Sequence, residues 1–339
     1  MLANSQKAKW LQNYWEIIMN SDQLYANGRI AVMSTRLLGS DKFTRLAECS
    51  TLVEALRVLN ENGYGAGTTI ADPNDYEVIL RAELDATLSL LKELCYDKNA
   101  TQYFLCPYDY VNAKILMKSK YLRVSGVEYC FANASFDPNK MQDDFVQDDY
   151  KDYTKNMAEA CDGVDSEFAA GNRSAQMIDT ILDKAMFADM CRYAKRSSIR
   201  LVRRLYTFQV DTTNLMLIYR LKRANCVESE LTKWFVNGGK VKLDTLVKLW
   251  NNDAVAVDLP DEYRRFFELC KVDNSTLAAA EKEQTAYRNK LLAEYADLLT
   301  IQPVLEYFFK KTDEIQKLRR LLVDVKNGVD KEKIKEKLK

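Results

Sequence analysis

The sequence predicts an all-α fold of three similar helical lobes, an internal triplication of about 100 residues closed around a pseudo-threefold axis. Three observations predict it. Glycine (11) and proline (5) are scarce in a chain of 339 residues, so the turns that a β-sandwich or doubly wound sheet needs are missing. Apolar residues recur at helical spacing through long segments. The same series of features returns three times along the chain.

The elements follow in order. The N-terminal stretch MLANSQKAKWLQNYWEIIMN lacks the charged, apolar and cleavage regions of a signal peptide. No apolar run approaches the ~18 residues of a membrane span. Each lobe then has a short helical region, expected over 43–62, 141–160 and 241–270, followed by a long helix hairpin. The first hairpin is expected over 72–95 and 102–120, the second over 172–195 and 198–223, the third over 274–299 and 303–326. Asp72 with Pro73, Asn172 and Asn274 are the expected N-caps. Inside the hairpins, Leu80, Leu84, Leu88 and Leu91, then Ile178, Ile181, Leu182 and Ala185, then Leu291, Leu292, Tyr295, Leu298 and Leu299 mark apolar helix faces. The second helix of each hairpin carries a further repeat. Asp109 and Asn112 form an Asp-x-x-Asn step that returns as Asp211 and Asn214 and weakens to Glu314 and Lys317. The lobes are drawn at 1–121 with an N-terminal helix, 122–223, and 224–339 with a C-terminal helix. In that last helix Gly328 stops its predecessor, Asp330 caps, and Ile334 and Leu338 share one face.

Composition excludes several chemistries. There is no histidine, which removes Ser-His-Asp and Cys-His catalysis and most zinc sites. Lys+Arg and Asp+Glu are both 49, so no global field draws nucleic acid or an anionic membrane. The eight cysteines are scattered without a CxxC and read as reduced, mostly buried thiols. The Gly63–Gly67 cluster has Thr68 where a dinucleotide fingerprint needs its last glycine, and reads as a helix stop. Gly238-Gly239-Lys240-Val241 lacks the other parts of a phosphate-binding loop. No catalytic residue, cofactor site or metal site is expected.

Two charged segments are candidate partner contacts. Arg192, Arg196, Arg200, Arg203 and Arg204 would form one basic stripe on a continuous helix, but Ser197-Ser198 reads as a turn that divides it. The stripe suits internal ion pairs, an acidic protein partner or, against the neutral total, RNA. Asp144 and Asp148 belong to an acidic cluster over 143–152 whose oxygens could suit a divalent cation, but without an EF-hand loop it reads as a solvated helix start or a surface for a basic partner.

These residues carry a family resemblance. The stretches YANGRIAVMSTRLLGSDKFTRLAECSTLVEALRVLNENGYG (25–65), PYDYVNAKILMKSKY (107–121), VDTTNLMLIYRLKR (210–223) and FFKKTDEIQKLRRLLVDVKNGVDKEKIKEKLK (308–339) resemble the C subunit of bacterial and archaeal V/A-type ATPases, the counterpart of the eukaryotic d subunit. The matching positions are Tyr25, Arg29 and Leu37-Leu38, then Thr51, Glu54 and Tyr64. They continue with Asp109/Asn112 and Asp211/Asn214, the basic Arg220, then Glu314, Leu318, Arg319, Lys326 and Gly328. Thr51 stands for the family's serine and Lys317 for its asparagine.

The resemblance implies an all-helical funnel of three lobes without an active site, peripheral on the cytoplasmic face of the membrane. It implies a seat for the central-shaft coiled-coil subunit and its small companion on the proteolipid rotor ring. The implied task is transmitting torque for H⁺ or Na⁺ transport, with no nucleic acid partner. Two other readings remain open on the residues alone. One is a helical scaffold or regulator that binds amphipathic helices of other partners. The other is a divalent-metal carboxylate enzyme, which the missing histidine denies its usual Glu-x-x-His ligands.

Overall fold

The computed structural model describes residues 22–65, 68–124, 126–252, 259–270, 274–296 and 300–338. Every regular element among them is helical. In order they are α1 (22–34), α2 (Ser40–Ala47), α3 (Leu52–Glu61), α4 (Tyr76–Leu94), α5 (Lys98–Leu122), α6 (Pro138–Val146), α7 (Lys155–Ala169) and α8 (Ala175–Arg196). They continue with α9 (Arg200–Arg223), α10 (Glu230–Trp234), α11 (Leu243–Asn251), α12 (Asp261–Cys270), α13 (Asn274–Glu294), α14 (Gln302–Lys326) and α15 (Lys331–Leu338). Single 3₁₀ turns lie at Pro73–Asp75 and Val127–Tyr129. No helix among the described residues is long and apolar enough to cross a membrane.

Local chemistry fixes where the helices start and stop. Thr51 accepts the Glu54 N–H at 3.2 Å, and Glu54 reaches back to the Ser50 N–H at 2.7 Å, a close relative of the capping box. Asp137 caps α6 with Pro138 in its first turn, and Thr154 caps α7 through the Met157 N–H. The helix stop expected after α3 is there: Gly63 and Gly65 have φ of 81° and 71°, and the Tyr64 N–H bonds the Leu59 carbonyl. Ala66 and Gly67 of that cluster lie outside the described residues. Gly328, at φ 65°, ends α14, and Asp330 accepts the Glu332 and Lys333 N–H groups to start α15.

Two expected boundaries moved. Asn172 does not cap α8; Ser174 stands at its N-cap position, without a side-chain hydrogen bond to the helix start. Asn172 closes α7 instead, its N–H on the Glu167 carbonyl and its amide on the Glu167 carboxylate at 3.0 Å, behind Gly171 at φ 94°. The first hairpin's second helix begins at Lys98, earlier than expected, because Asp97 caps it. The residues before Asn274 and the expected end of α13 at 297–299 lie outside the described residues.

Contacts divide the chain into two compact units, 1–96 with 296–339, and 97–295. In the first unit α4 packs on α14, which also touches α2 and α3, and α15 lies on α2. Its core is aliphatic: Leu46, Leu59, Ile79, Leu80, Leu88 and Leu91 are fully buried. In the second unit α5 lies along α8, α7 covers α8, and α9 packs on α12 and α13. Its core holds large rings, with Tyr110, Phe145, Phe266 and Phe267 fully buried. Each buried leucine contributes about 1.5–3 kcal/mol and each cap about 1 kcal/mol. Packing therefore supplies the stability, and side-chain caps fix where α3, α5, α6 and α7 begin. None of the eight cysteines is in a disulfide, and five are buried.

Candidate functional site

The repeated Asp-x-x-Asn steps are clamps. On α5, the Asn112 side chain bonds both backbone groups of Phe131, donating to its carbonyl at 2.9 Å and accepting its N–H at 2.7 Å. One turn away Asp109 accepts the Ser135 N–H at 2.7 Å, just ahead of α6. On α9, Asn214 does the same to Val236, at 2.8 and 3.0 Å. Asp211 accepts the Val241 N–H at 2.8 Å, just ahead of α11. All four side chains are buried, so three backbone groups of each returning loop find their partners on the long helix. Tyr263 faces Asp211, and burial together with that carboxylate pushes the phenol's pKa far up.

The glycine pair in the second loop is explained by the same clamp. A Cβ on Gly239 would sit 2.1 Å from an Asp211 carboxylate oxygen, and Gly238 has φ 107° with the Tyr206 hydroxyl 2.8 Å from its Cβ direction. The loop crosses α9 too closely for any side chain. Gly239→Ala is expected to destabilise the second unit by about 2–3 kcal/mol through displacement of the Asp211 clamp. Urea unfolding checks it, and a loss under about 0.5 kcal/mol would show that the loop gives way freely.

On α14, Glu314 takes the acid's place. It accepts the Leu38 N–H, just ahead of α2, the Tyr64 hydroxyl, and the Lys311 ammonium at 2.9 Å. Lys311 also pairs with Glu83 at 3.1 Å and lies 3.9 Å from the Tyr64 ring centroid. The Arg319 Nε–H is shared between the two Glu77 carboxylate oxygens, at 2.8 and 3.1 Å. Arg220 is exposed in the last turn of α9, where a cation suits the helix dipole.

The charged candidates separate into two groups. Arg192 is engaged by the buried Asp189, at 3.2 and 3.1 Å, and stacks on Tyr193. Arg204 pairs with Glu294 at 3.2 Å and lies near the Tyr295 ring. Asp144 accepts the Tyr153 hydroxyl at 2.6 Å and pairs with Lys140 at 3.4 Å. Asp148 pairs with Lys120, which also holds Asp165 at 2.9 Å. Arg196, Arg200 and Arg203 are exposed and have no ion-pair partner among the described residues. The stripe is broken by the turn at 197–199, with Arg196 ending α8 and Arg200 opening α9.

A cavity of about 390 Å³ near Arg192 is lined by Phe136, Asp152, Tyr153, Lys155, Arg192 and Tyr193 among others. Its cations are offset by Asp152 and by Asp189, and its one hydroxyl on a carboxylate, Thr154 on Asp189, is committed to the α7 cap and the buried network. No group of three metal-ligating side chains converges among the described residues.

The model of the ATP synthase (C/AC39) subunit family matches residues 26–337. The chain belongs to that family. It is a structural subunit of a V/A-type ATPase, not a catalytic one. Among its relatives, the A-type ATP synthase C subunit of Thermococcus gammatolerans is 24% identical over 92% of this chain and 88% of its own. The Thermococcus kodakarensis protein of the same name is 24% identical over 92% and 89%. The one from Methanosarcina mazei is 22% identical over 94% and 93%. In this member of the family, the positions that carried the resemblance are mostly architectural: a capping box at Thr51 and Glu54, two Asp/Asn clamps, and a buried network at Tyr64 and Glu314.

Two structural residues escaped the sequence reading. Asp189 sits on the buried face of α8, four residues after Ala185; a carboxylate on an apolar face was the available signal. Asp97 precedes α5 as a capping residue would. Its carboxylate accepts the Asn99 and Ala100 N–H groups at 2.8 and 2.9 Å on one oxygen. The other oxygen takes the Ser197 hydroxyl at 3.0 Å and the Ser198 N–H and hydroxyl at 2.7 Å each.

Burial opposes ionisation of Asp97, but the Ser198 hydroxyl, the Ala100 and Ser198 N–H groups and the Ser197 hydroxyl outweigh it. They hold the pKa below the ordinary aspartate value of 3.8. A depressed folded-state pKa gives stability that is present above the unfolded value and is lost as pH falls through the folded value. Asp97→Asn is expected to cost about 2 kcal/mol at neutral pH. The gap between wild type and variant should narrow only below about pH 4. Denaturant midpoints measured from pH 7 to pH 3 check this, and a gap that is the same throughout would refute the charge-assisted reading.

Proposed function

We propose that this chain is the central-stalk adaptor of a rotary V/A-type ATPase. In this role it seats the central-shaft coiled-coil subunit and its small companion on the proteolipid ring and transmits torque for H⁺ or Na⁺ transport. Its place is peripheral, at the cytoplasmic face of the membrane. Family membership supports the assembly. The observation that carries the mechanical role is that the recurring acid and amide side chains are consumed in clamps between long helices and returning loops. Groups so committed stiffen a coupling piece and are not available for catalysis.

The clamps also support a triplicated plan, and we place its boundaries ahead of α5 and α9. The acid-bearing helix of each lobe then holds the start of a short helix: α5 holds α6, α9 holds α11, and α14 holds α2. On this plan the turns 95–97 and 197–199 join lobes. The test is reconstitution of the ATPase with and without the subunit. Without it, hydrolysis by the head should persist while ATP-driven ion transport falls to background. Transport that continues at an undiminished rate would refute the role.

A further inference from the structure

Lys98, Lys195, Arg196, Arg200 and Arg203 are exposed and without an ion-pair partner among the described residues. The structure brings them to one end of the second unit. The Asn99 amide reaches the Arg196 carbonyl at 3.5 Å, and Asp97 bonds both Ser197 and Ser198, so the start of α5 lies against the α8–α9 turn. The carboxylate in their midst, Asp97, is buried and accepts five hydrogen bonds from the two helix starts, and its single charge offsets only part of the five cations.

A second observation is independent of exposure. Lys98 opens α5, and Arg200 and Arg203 occupy the first turns of α9; neither helix has an acidic residue in its first turn. The helix dipole favours anions there and disfavours cations; α5 meets this rule through the Asp97 carboxylate at its N-cap, whereas α9, with neither an acidic residue nor a side-chain cap at its start, violates it. Such a violation is expected where a site answers to something outside the chain. On a chain of zero net charge, this end concentrates positive potential.

We propose that this surface docks an acidic segment of a partner subunit. The choice of a protein partner rests on the adaptor reading. Guanidinium groups grip carboxylates bidentately. Between the arginines of α9, Leu201 and Val202 are buried, as is Ile199 in the turn. The first turns of α9 therefore offer no apolar side chain for insertion into a bilayer, and Tyr96, half exposed beside Asp97, is a single ring where nucleic acid bases need a run of stacking platforms.

The test is the triple variant R196E/R200E/R203E in the full chain. Its melting temperature should match wild type, because the three side chains hold nothing within the fold. The first probe is a fluorescent decaglutamate peptide. Wild type should bind it at about 20 mM salt and lose it at about 300 mM, and the variant should bind at least tenfold more weakly. The second probe is assembly with the purified shaft subunit and ring of the same ATPase, where the variant's association rate should fall tenfold or more at low salt. Equal binding by variant and wild type in both assays overturns the proposal. So does a loss confined to phosphatidylglycerol vesicles, which would make the surface a membrane contact. Wild type that joins neither shaft nor ring removes the adaptor reading, and the peptide titration still decides the surface.

Discussion

Asp189→Ala is expected to lower the stability of the second unit by about 3–5 kcal/mol, the loss typical of opening a buried ionic network. Asp189 is fully buried in the middle of α8. One oxygen accepts the Tyr110 hydroxyl of α5 at 2.8 Å and the Thr154 hydroxyl. The other accepts the Asn156 amide at 2.8 Å and the Arg192 guanidinium. Thr154 is also the N-cap of α7, so one carboxylate fixes the hydroxyl that starts a neighbouring helix.

The members do not contribute equally. Arg192 is partly exposed and can turn to water, so its loss costs little. Tyr110 is buried, and burial with the adjacent carboxylate already drives its pKa far up. Its hydroxyl, orphaned with the polar groups of Thr154 and Asn156, bears most of the penalty at about 1–3 kcal/mol each, less what relaxation recovers. Asp189→Asn keeps the shape and one acceptor and should lose about half as much. Equilibrium unfolding in urea measures both. A cost below about 1 kcal/mol for the alanine variant would mean that water replaces the network.

How much of this was legible in the sequence depends on the range of the interaction. Features set by a few neighbouring residues could be read: the stop at Gly63, the Gly328–Asp330 punctuation, and the turn at Ser197-Ser198. The Asp-x-x-Asn recurrence was visible too, although its partners, Phe131 with Ser135 and Val236 with Val241, were not, because loop backbone carries no side-chain signature. Asn172 shows the limit of cap rules. It is an able N-cap two residues before Ser174, but Gly171 and the Glu167 carboxylate claim it for the end of α7.

Helical periodicity shows that a helix has a buried face and is silent on what covers it. The sequence therefore joined 72–95 to 102–120 as one hairpin, whereas the contacts give α4 to α14 and α5 to α8. The candidate charges divide on the same principle. Arg192, Arg204, Asp144 and Asp148 are claimed by groups on other elements or the next turn, and spacing along one helix cannot reveal that claim. Arg196, Arg200 and Arg203 stay open because nothing among the described residues folds back to meet them.

Glu314→Ala is expected to cost the first unit about 3 kcal/mol, and the reason lies in which partners it abandons. Glu314, Lys311 and Glu83 form a network in which Glu314 and Lys311 are buried and the ammonium bridges both acids. Deleting Glu314 leaves Lys311 paired with Glu83, so the ionic part of the loss is small. The Leu38 N–H and the Tyr64 hydroxyl have no such second partner. Each is stranded at about 1–3 kcal/mol, and the start of α2 loses the group that holds it to α14.

Glu314→Gln keeps a carbonyl for one of the two donors and should cost about half as much. Tyr64→Phe removes the donor along with its need and should cost about 1 kcal/mol. The predicted order of loss is therefore alanine, then glutamine, then the tyrosine variant, read from denaturant midpoints of the first unit's transition. If Glu314→Gln proves as damaging as Glu314→Ala, the charge rather than the acceptor geometry holds the clamp. Glu314 would then work as the counter-ion of Lys311, not as the third member of the series begun by Asp109 and Asp211.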